Sequence, residues 1–134
     1  MATITVTPAN VTIDTTNELT KGKAGEDLQA GDWVYILNNT LKLAKADAAG
    51  TSEVVGCVAN KALNGNTVYY SGRYNIKWGA VLTKDTVYYL SDTTAGKMEL
   101  FSDLASTAII VTLGVASTTD ILVPCIKNTG IAKT

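Results

Sequence analysis

Apolar residues in this chain recur at every second position. Thr3-Ile-Thr-Val-Thr, Leu41-Lys-Leu-Ala-Lys-Ala and Arg73-Tyr-Asn-Ile-Lys-Trp each alternate apolar or aromatic side chains with others, mostly polar. That period suits an extended strand, whose successive side chains point to opposite faces. No segment reads as a helix. The runs are short and end at turn-forming clusters: Asn38-Asn-Thr, Asn64-Gly-Asn, Ser91-Asp-Thr-Thr-Ala-Gly and Ser117-Thr-Thr-Asp. Threonine occurs 20 times, glycine 11 times and proline only twice, a composition that favours pleated strands over helices. The expected fold is all-β: a small β-barrel or β-sandwich.

With 134 residues the chain is one domain's worth. Residues 1–24 read as an extended N-terminal arm and linker. Residues 25–126 form the barrel or sandwich domain, and 127–134 a frayed C-terminal tail. Within the domain, strands are expected at Trp33-Val-Tyr-Ile-Leu, Leu41 to Ala46, Glu53 to Ala59, Thr67 to Ser71, Thr86 to Leu90, Thr107 to Ala116 and Ile121 to Ile126. Pro8 demotes the first segment to an edge strand or a loose arm.

The two halves of the domain resemble each other. Gly25 to Ile36 matches Gly79 to Leu90, with Gly25 on Gly79, Leu28 on Leu82, Tyr35 on Tyr89 and Ile36 on Leu90. Thr40-Leu-Lys-Leu parallels Gly96-Lys-Met-Glu, and Val55-Gly56-Cys57 parallels Leu113-Gly114-Val115. Two such copies read as pseudo-repeated halves of one fold, since solenoids and propellers need more.

Formal charge is -1 and there is no histidine. A basic surface for nucleic acid is therefore not expected. His-based nucleophile pairs and His-ligated zinc are excluded. Cys57 and Cys125 are too few for a disulfide scaffold or a Cys-only zinc site. No run approaches the roughly 18 apolar residues of a membrane-spanning helix. Ala95-Gly96-Lys97 ends like a phosphate loop, but Met98 stands where Ser or Thr is required. Asp32, Asp47, Asp85, Asp92 and Asp103 fit turn chemistry better than paired catalysis. The expectation is a protein that is not an enzyme, with no catalytic residue, metal or cofactor, and no nucleic-acid or membrane partner.

Two places suit contact with other molecules. The first is the N-terminal arm, through Thr3, Ile4, Thr5, Val6, Thr7, Val11 and Ile13. It could pair within its own sheet or add as a strand to a neighbour's. The second is an aromatic stretch with Tyr70, Arg73, Tyr74 and Trp78, which could pack across strands, anchor a protein interface or stack on a ligand.

Leu28-Gln-Ala-Gly-Asp-Trp-Val-Tyr, Leu41-Lys-Leu-Ala-Lys-Ala-Asp, Val54-Val-Gly-Cys-Val-Ala, and Tyr88 to Lys97 followed by Leu113-Gly-Val-Ala together resemble a domain of tailed-phage virion proteins. The sequence is similar there to capsid decoration (cement) proteins and to related head-fibre and tail-fibre β domains. The resemblance spans roughly residues 24–124, and it rests on the order and spacing of the pieces. It implies a small β domain, as a homotrimer, that binds the major capsid protein on the outer surface of a phage head after synthesis in the bacterial cytoplasm. It also implies an attachment role for an extended N-terminal arm. The alternative is a fibre or adhesin module that binds host glycans.

Overall fold

The computed structural model describes residues 3–13 and 19–134. Its strands are β1 (Thr12–Ile13), β2 (Thr20–Lys23), β3 (Trp33–Leu37), β4 (Thr40–Leu43), β5 (Gly56–Val58), β6 (Thr67–Ser71), β7 (Ile76–Lys77), β8 (Val87–Leu90), β9 (Met98–Glu99), β10 (Ile109–Ala116) and β11 (Ile121–Ala132). The only helical elements among the described residues are 3₁₀ turns at Pro8–Asn10, Ala49–Thr51 and Phe101–Asp103. The fold is all-β, as the alternation predicts. It consists of two antiparallel sheets, ordered β2-β6-β5-β3-β4 and β1-β7-β11-β10-β8-β9. In the five-stranded sheet, Ala24 bridges to Leu41, bringing the two outer strands together as in a small barrel.

The sheets are wired alike. In one, β3 and β4 form a hairpin, β5 pairs with β3, β6 with β5 and β2 with β6; in the other, β8, β9, β10, β11 and β7 repeat that order. Val34 lies opposite Gly56 and Trp33 opposite Cys57, while Tyr88 lies opposite Gly114 and Val87 opposite Val115. The return strands differ from the sequence match by one residue: Leu41 pairs with Ile36, and Met98, not Lys97, pairs with Leu90.

Each half needs a glycine at its Val-Gly or Leu-Gly strand. A Cβ on Gly56 would sit 2.8 Å from the Ser71 carbonyl carbon, and one on Gly114 would sit 2.5 Å from the Val123 carbonyl oxygen. Those obstacles are backbone and cannot swing away. Gly114→Ala is therefore expected to cost about 2–3 kcal/mol, the range of core overpacking. Chemical denaturation checks it, and a change under about 0.5 kcal/mol would mean that β10 and β11 lie further apart.

The main core draws from both sheets. Trp33, Tyr35, Ala44 and Cys57 meet Ile76, Trp78, Tyr88, Leu90, Met98, Leu113 and Leu122 there. A smaller core inside the five-stranded sheet holds Ala24, Leu28, Val34, Leu41, Val58 and Val68. Strand β3 thus places Trp33 and Tyr35 in one core and Val34 in the other. Burial on both faces explains the apolar run from Trp33 to Tyr35, while Ile36 and Leu37 at its end are exposed. At its tip, Asn38 and Asn39 both have positive φ, 51° and 64°, as a two-residue hairpin turn of type I′ requires.

Both chain ends depart from expectation. The linker expected up to residue 24 contains β2, laddered to β6 from Thr20↔Tyr70 to Lys23↔Thr67, and Ala24 is fully buried. Strand β2 reads as polar because its lysines are exposed and the position between them is Gly22. The compact part also takes in Val11 and Ile13, each 4% exposed. The expected frayed tail is strand: β11 continues to Ala132, which pairs with Ile109. Asn128 fixes that stretch by accepting from Val54 N–H at 3.0 Å and donating to the Val54 carbonyl at 3.1 Å. Backbone pairing and one amide side chain hold it, without apolar alternation to announce it. The remaining arm and linker positions, 1–2 and 14–18, lie outside the described residues.

Candidate functional site

The seven arm candidates do not form one exposed set. Thr3 bridges to Glu99, and the Ile4 N–H donates to the Met98 carbonyl at 2.9 Å. Thr12 and Ile13 pair with Lys77 and Ile76. Strand β9 ends the six-stranded order on one side and β1 on the other, so residues 3–13 form a strap between its two margins. Pro8 starts a 3₁₀ turn in mid-strap, where its missing N–H costs nothing. Val11 and Ile13 belong to the main core, with Ile4 and Val6 packed against it. This corrects the arm reading for them. The described arm residues pair within their own sheet, and only Thr5 and Thr7 of the candidates are exposed.

The aromatic candidates also divide. Trp78 is fully buried and stacks on Trp33, with ring centroids 6.3 Å apart and planes 18° from parallel. It is a core residue and no part of a surface. Tyr70 is half-buried against the smaller core and Tyr74 against the larger. Arg73 is exposed, its N–H held by Ser71 Oγ at 3.1 Å. Period-two alternation carries Ile76 and Trp78 inward together, which explains why the stretch reads as one aromatic face and is not one. Beside it, Asp120 Oδ1 accepts from Gly79 N–H at 2.7 Å and Trp78 N–H at 3.0 Å. The Gly79 bond above all, with that of Trp78, holds the Asp120 pKa below the usual carboxylate range.

The strap creates a feature that no sequence pattern marked. A shallow groove of about 400 Å³ lies between its turn and two loops, lined by Pro8, Val11, Gln29, Ala59, Asn60 and Lys61 among others. No aromatic ring is in its lining. Asn60 already spends its carboxamide on Tyr69 N–H and the Lys61 carbonyl. Among the described residues, that leaves Gln29 and Lys61 as the polar side chains of the groove without a hydrogen-bond partner.

One ion pair joins the halves. Lys97 Nζ lies 2.9 Å from Asp32 Oδ1, with the side chains 26% and 7% exposed. Asp32 Oδ2 also accepts the Gln29 N–H at 2.8 Å. Turn chemistry, expected for Asp32, is thus only part of its role. Cys57 is buried next to this pair, and burial above all, with the Asp32 charge, pushes its pKa well up. The thiol stays protonated and is a poor nucleophile. Cys125 is exposed, and both cysteines are free. Among the described residues, no group of three or more Cys, Asp or Glu gathers where it could hold a metal ion. Nor, among those residues, is any helix long and apolar enough to cross a membrane.

No protein-family model matches this chain, and no curated protein matches it either.

Proposed function

We propose that the chain is a structural virion protein of a tailed phage, a decoration protein that binds the outside of the head and braces contacts between major capsid subunits. The observation that carries this reading is where the resembling segments fall. Trp33 to Tyr35 lies in β3, Leu41 to Leu43 in β4, Gly56 to Val58 in β5, Tyr88 to Leu90 in β8, and Gly114 to Ala116 in β10. They are the matched strands of the two like-wired sheets, so the resemblance follows one coherent structural unit. A bracing protein works by area and shape. By binding the assembled shell alone, it stabilises it by RT ln(1 + [L]/Kd). Exposed threonines such as Thr5, Thr7 and Thr12 can hydrogen-bond a neighbour without the desolvation cost of charges. In this reading three copies form the unit that sits on the head. The glycan-binding alternative expects exposed aromatics around Tyr70, Tyr74 and Trp78 in a shallow groove; of these Trp78 is buried and Tyr70 and Tyr74 are half-buried.

The test is co-sedimentation of the purified protein with expanded tailed-phage shells stripped of their decoration layer. Deleting the arm would remove Val11 and Ile13 from the core, so the informative variant is Thr5→Arg/Thr7→Arg. Saturable binding that weakens in this variant supports attachment through the strap. Equal binding by both forms keeps the role and moves the contact elsewhere. Absence of binding by the unaltered protein overturns the reading, and a glycan array is then the next assay.

A further inference from the structure

A buried and a half-buried carboxyl group meet at the β8–β9 turn with few donors. Glu99, on β9, is 0% exposed. Its Oε1 and the buried Oδ1 of Asp92 have no hydrogen-bond partner among the described residues. The other oxygens are weakly served. Thr93 Oγ1 donates to Glu99 Oε2 at 3.4 Å, and Ala105 N–H donates to Asp92 Oδ2 at 3.4 Å. Ser91 Oγ accepts from Thr93 and Thr94 N–H at 3.1 and 3.0 Å and sits 3.2 Å from Thr93 Oγ1. The Thr93 and Thr94 N–H donors of the turn are therefore spent elsewhere, and the Asp92 N–H is the backbone donor left to Glu99.

The charged groups around the pair do not neutralise it. Lys97, in the same turn, is held by Asp32. Lys133, from the end of β11, donates to the Phe101 and Leu104 carbonyls at 2.8 and 2.9 Å. Asp103, in the nearby 3₁₀ turn, is acidic. Thr3 and Ile4, laid against β9, carry no charge on their side chains. Among the described residues, Asp92 is the one charge that acts appreciably on Glu99, and the two carboxyls are within hydrogen-bonding reach. Two carboxylates cannot bond to each other, whereas an acid and a carboxylate can.

We propose that Asp92 and Glu99 share a single proton between Oδ1 and Oε1, and that this proton latches the strap onto β9. The strap meets the sheet at this place, since Thr3 bridges to Glu99 itself and Ile4 bonds to the Met98 carbonyl. Losing the proton sets two negative charges side by side beneath that contact. Burial, followed by the neighbouring Asp92, raises the Glu99 pKa above its ordinary value. The sign follows: the pair's contribution to stability is complete below the ordinary carboxylate pKa and is lost as pH rises through the raised, folded-state value.

The experiment compares thermal midpoints of the unaltered protein, Glu99→Gln and Asp92→Asn between pH 5 and pH 8.5, with and without Ca²⁺. Amide exchange at Ile4 is read at one fixed pH. The unaltered protein is expected to lose about 5 °C across that range relative to Glu99→Gln, whose amide replaces the proton permanently. Its Ile4 amide exchanges several-fold faster than that of Glu99→Gln at pH 8. Parallel pH profiles would overturn the proposal. So would a Ca²⁺-specific rise confined to the unaltered protein, which would assign the pair to a cation. If neither variant folds, carboxyl carbon NMR of the unaltered protein decides: a Glu99 titration at the ordinary carboxylate pH overturns the shared proton.

Discussion

Trp78→Ala is expected to remove about 4 kcal/mol of folding free energy, and Trp78→Phe only about 1 kcal/mol. The indole is fully buried and stacked on Trp33, in the core to which both sheets contribute. Alanine leaves a cavity that the two sheets cannot both close upon. Phenylalanine keeps most of the ring and gives up an Nε1–H that has no partner among the described residues. Losing an unpaired buried donor offsets part of the lost packing. Urea denaturation of both variants measures the contrast. Equal costs would mean that the Nε1–H is bonded after all, and a cost under about 1 kcal/mol for alanine would mean that the shared core is not where the stability lies. Because Trp33 and Trp78 touch, their alanine variants should also be non-additive.

The second large effect belongs to the Asp32–Lys97 pair. Lys97→Met is expected to cost about 3 kcal/mol, because it strands a buried carboxylate. Asp32 keeps the Gln29 N–H but loses the Lys97 cation at 2.9 Å. The pair also clamps a backbone junction: Trp33 N–H donates to the Gly96 carbonyl at 3.0 Å, and Gly96 N–H to the Ala44 carbonyl at 2.6 Å. Adding Asp32→Asn to Lys97→Met should recover about half of the loss, since an amide is far cheaper to bury than a charge. A double-mutant cycle provides the check. Additive costs in that cycle would show that the ion pair is a bystander to the junction.

Strand identity was largely legible. Strands β3, β6, β8 and β10 fall within the runs of β-branched and aromatic residues expected to be extended. The Asn38-Asn39 turn was readable because few residues other than Gly, Asn and Asp take positive φ at low cost. Strands β2 and the end of β11 were not readable, because backbone ladders and Asn128 hold them without apolar alternation. Of the candidate site, only Thr5, Thr7 and Arg73 are exposed as expected. Trp78 misled because an aromatic ring suits a core and a binding face equally well, and only its neighbours decide.

The amino-acid order by itself determined that this chain is all-β, where most strands and turns fall, and that two segments resemble each other. Those properties are local: side-chain period, β-branching and turn chemistry act within a few residues. Tertiary structure decided the rest. It folded residues 3–13 back as a strap, buried Trp78 on Trp33, joined Asp32 to Lys97 and set Asp92 beside Glu99. The first three of these link positions far apart in the chain. For those three, meeting depends on how distant parts of the chain pack together, which no short-range pattern encodes; the fourth is set by the β8–β9 turn, which brings Asp92 to Glu99.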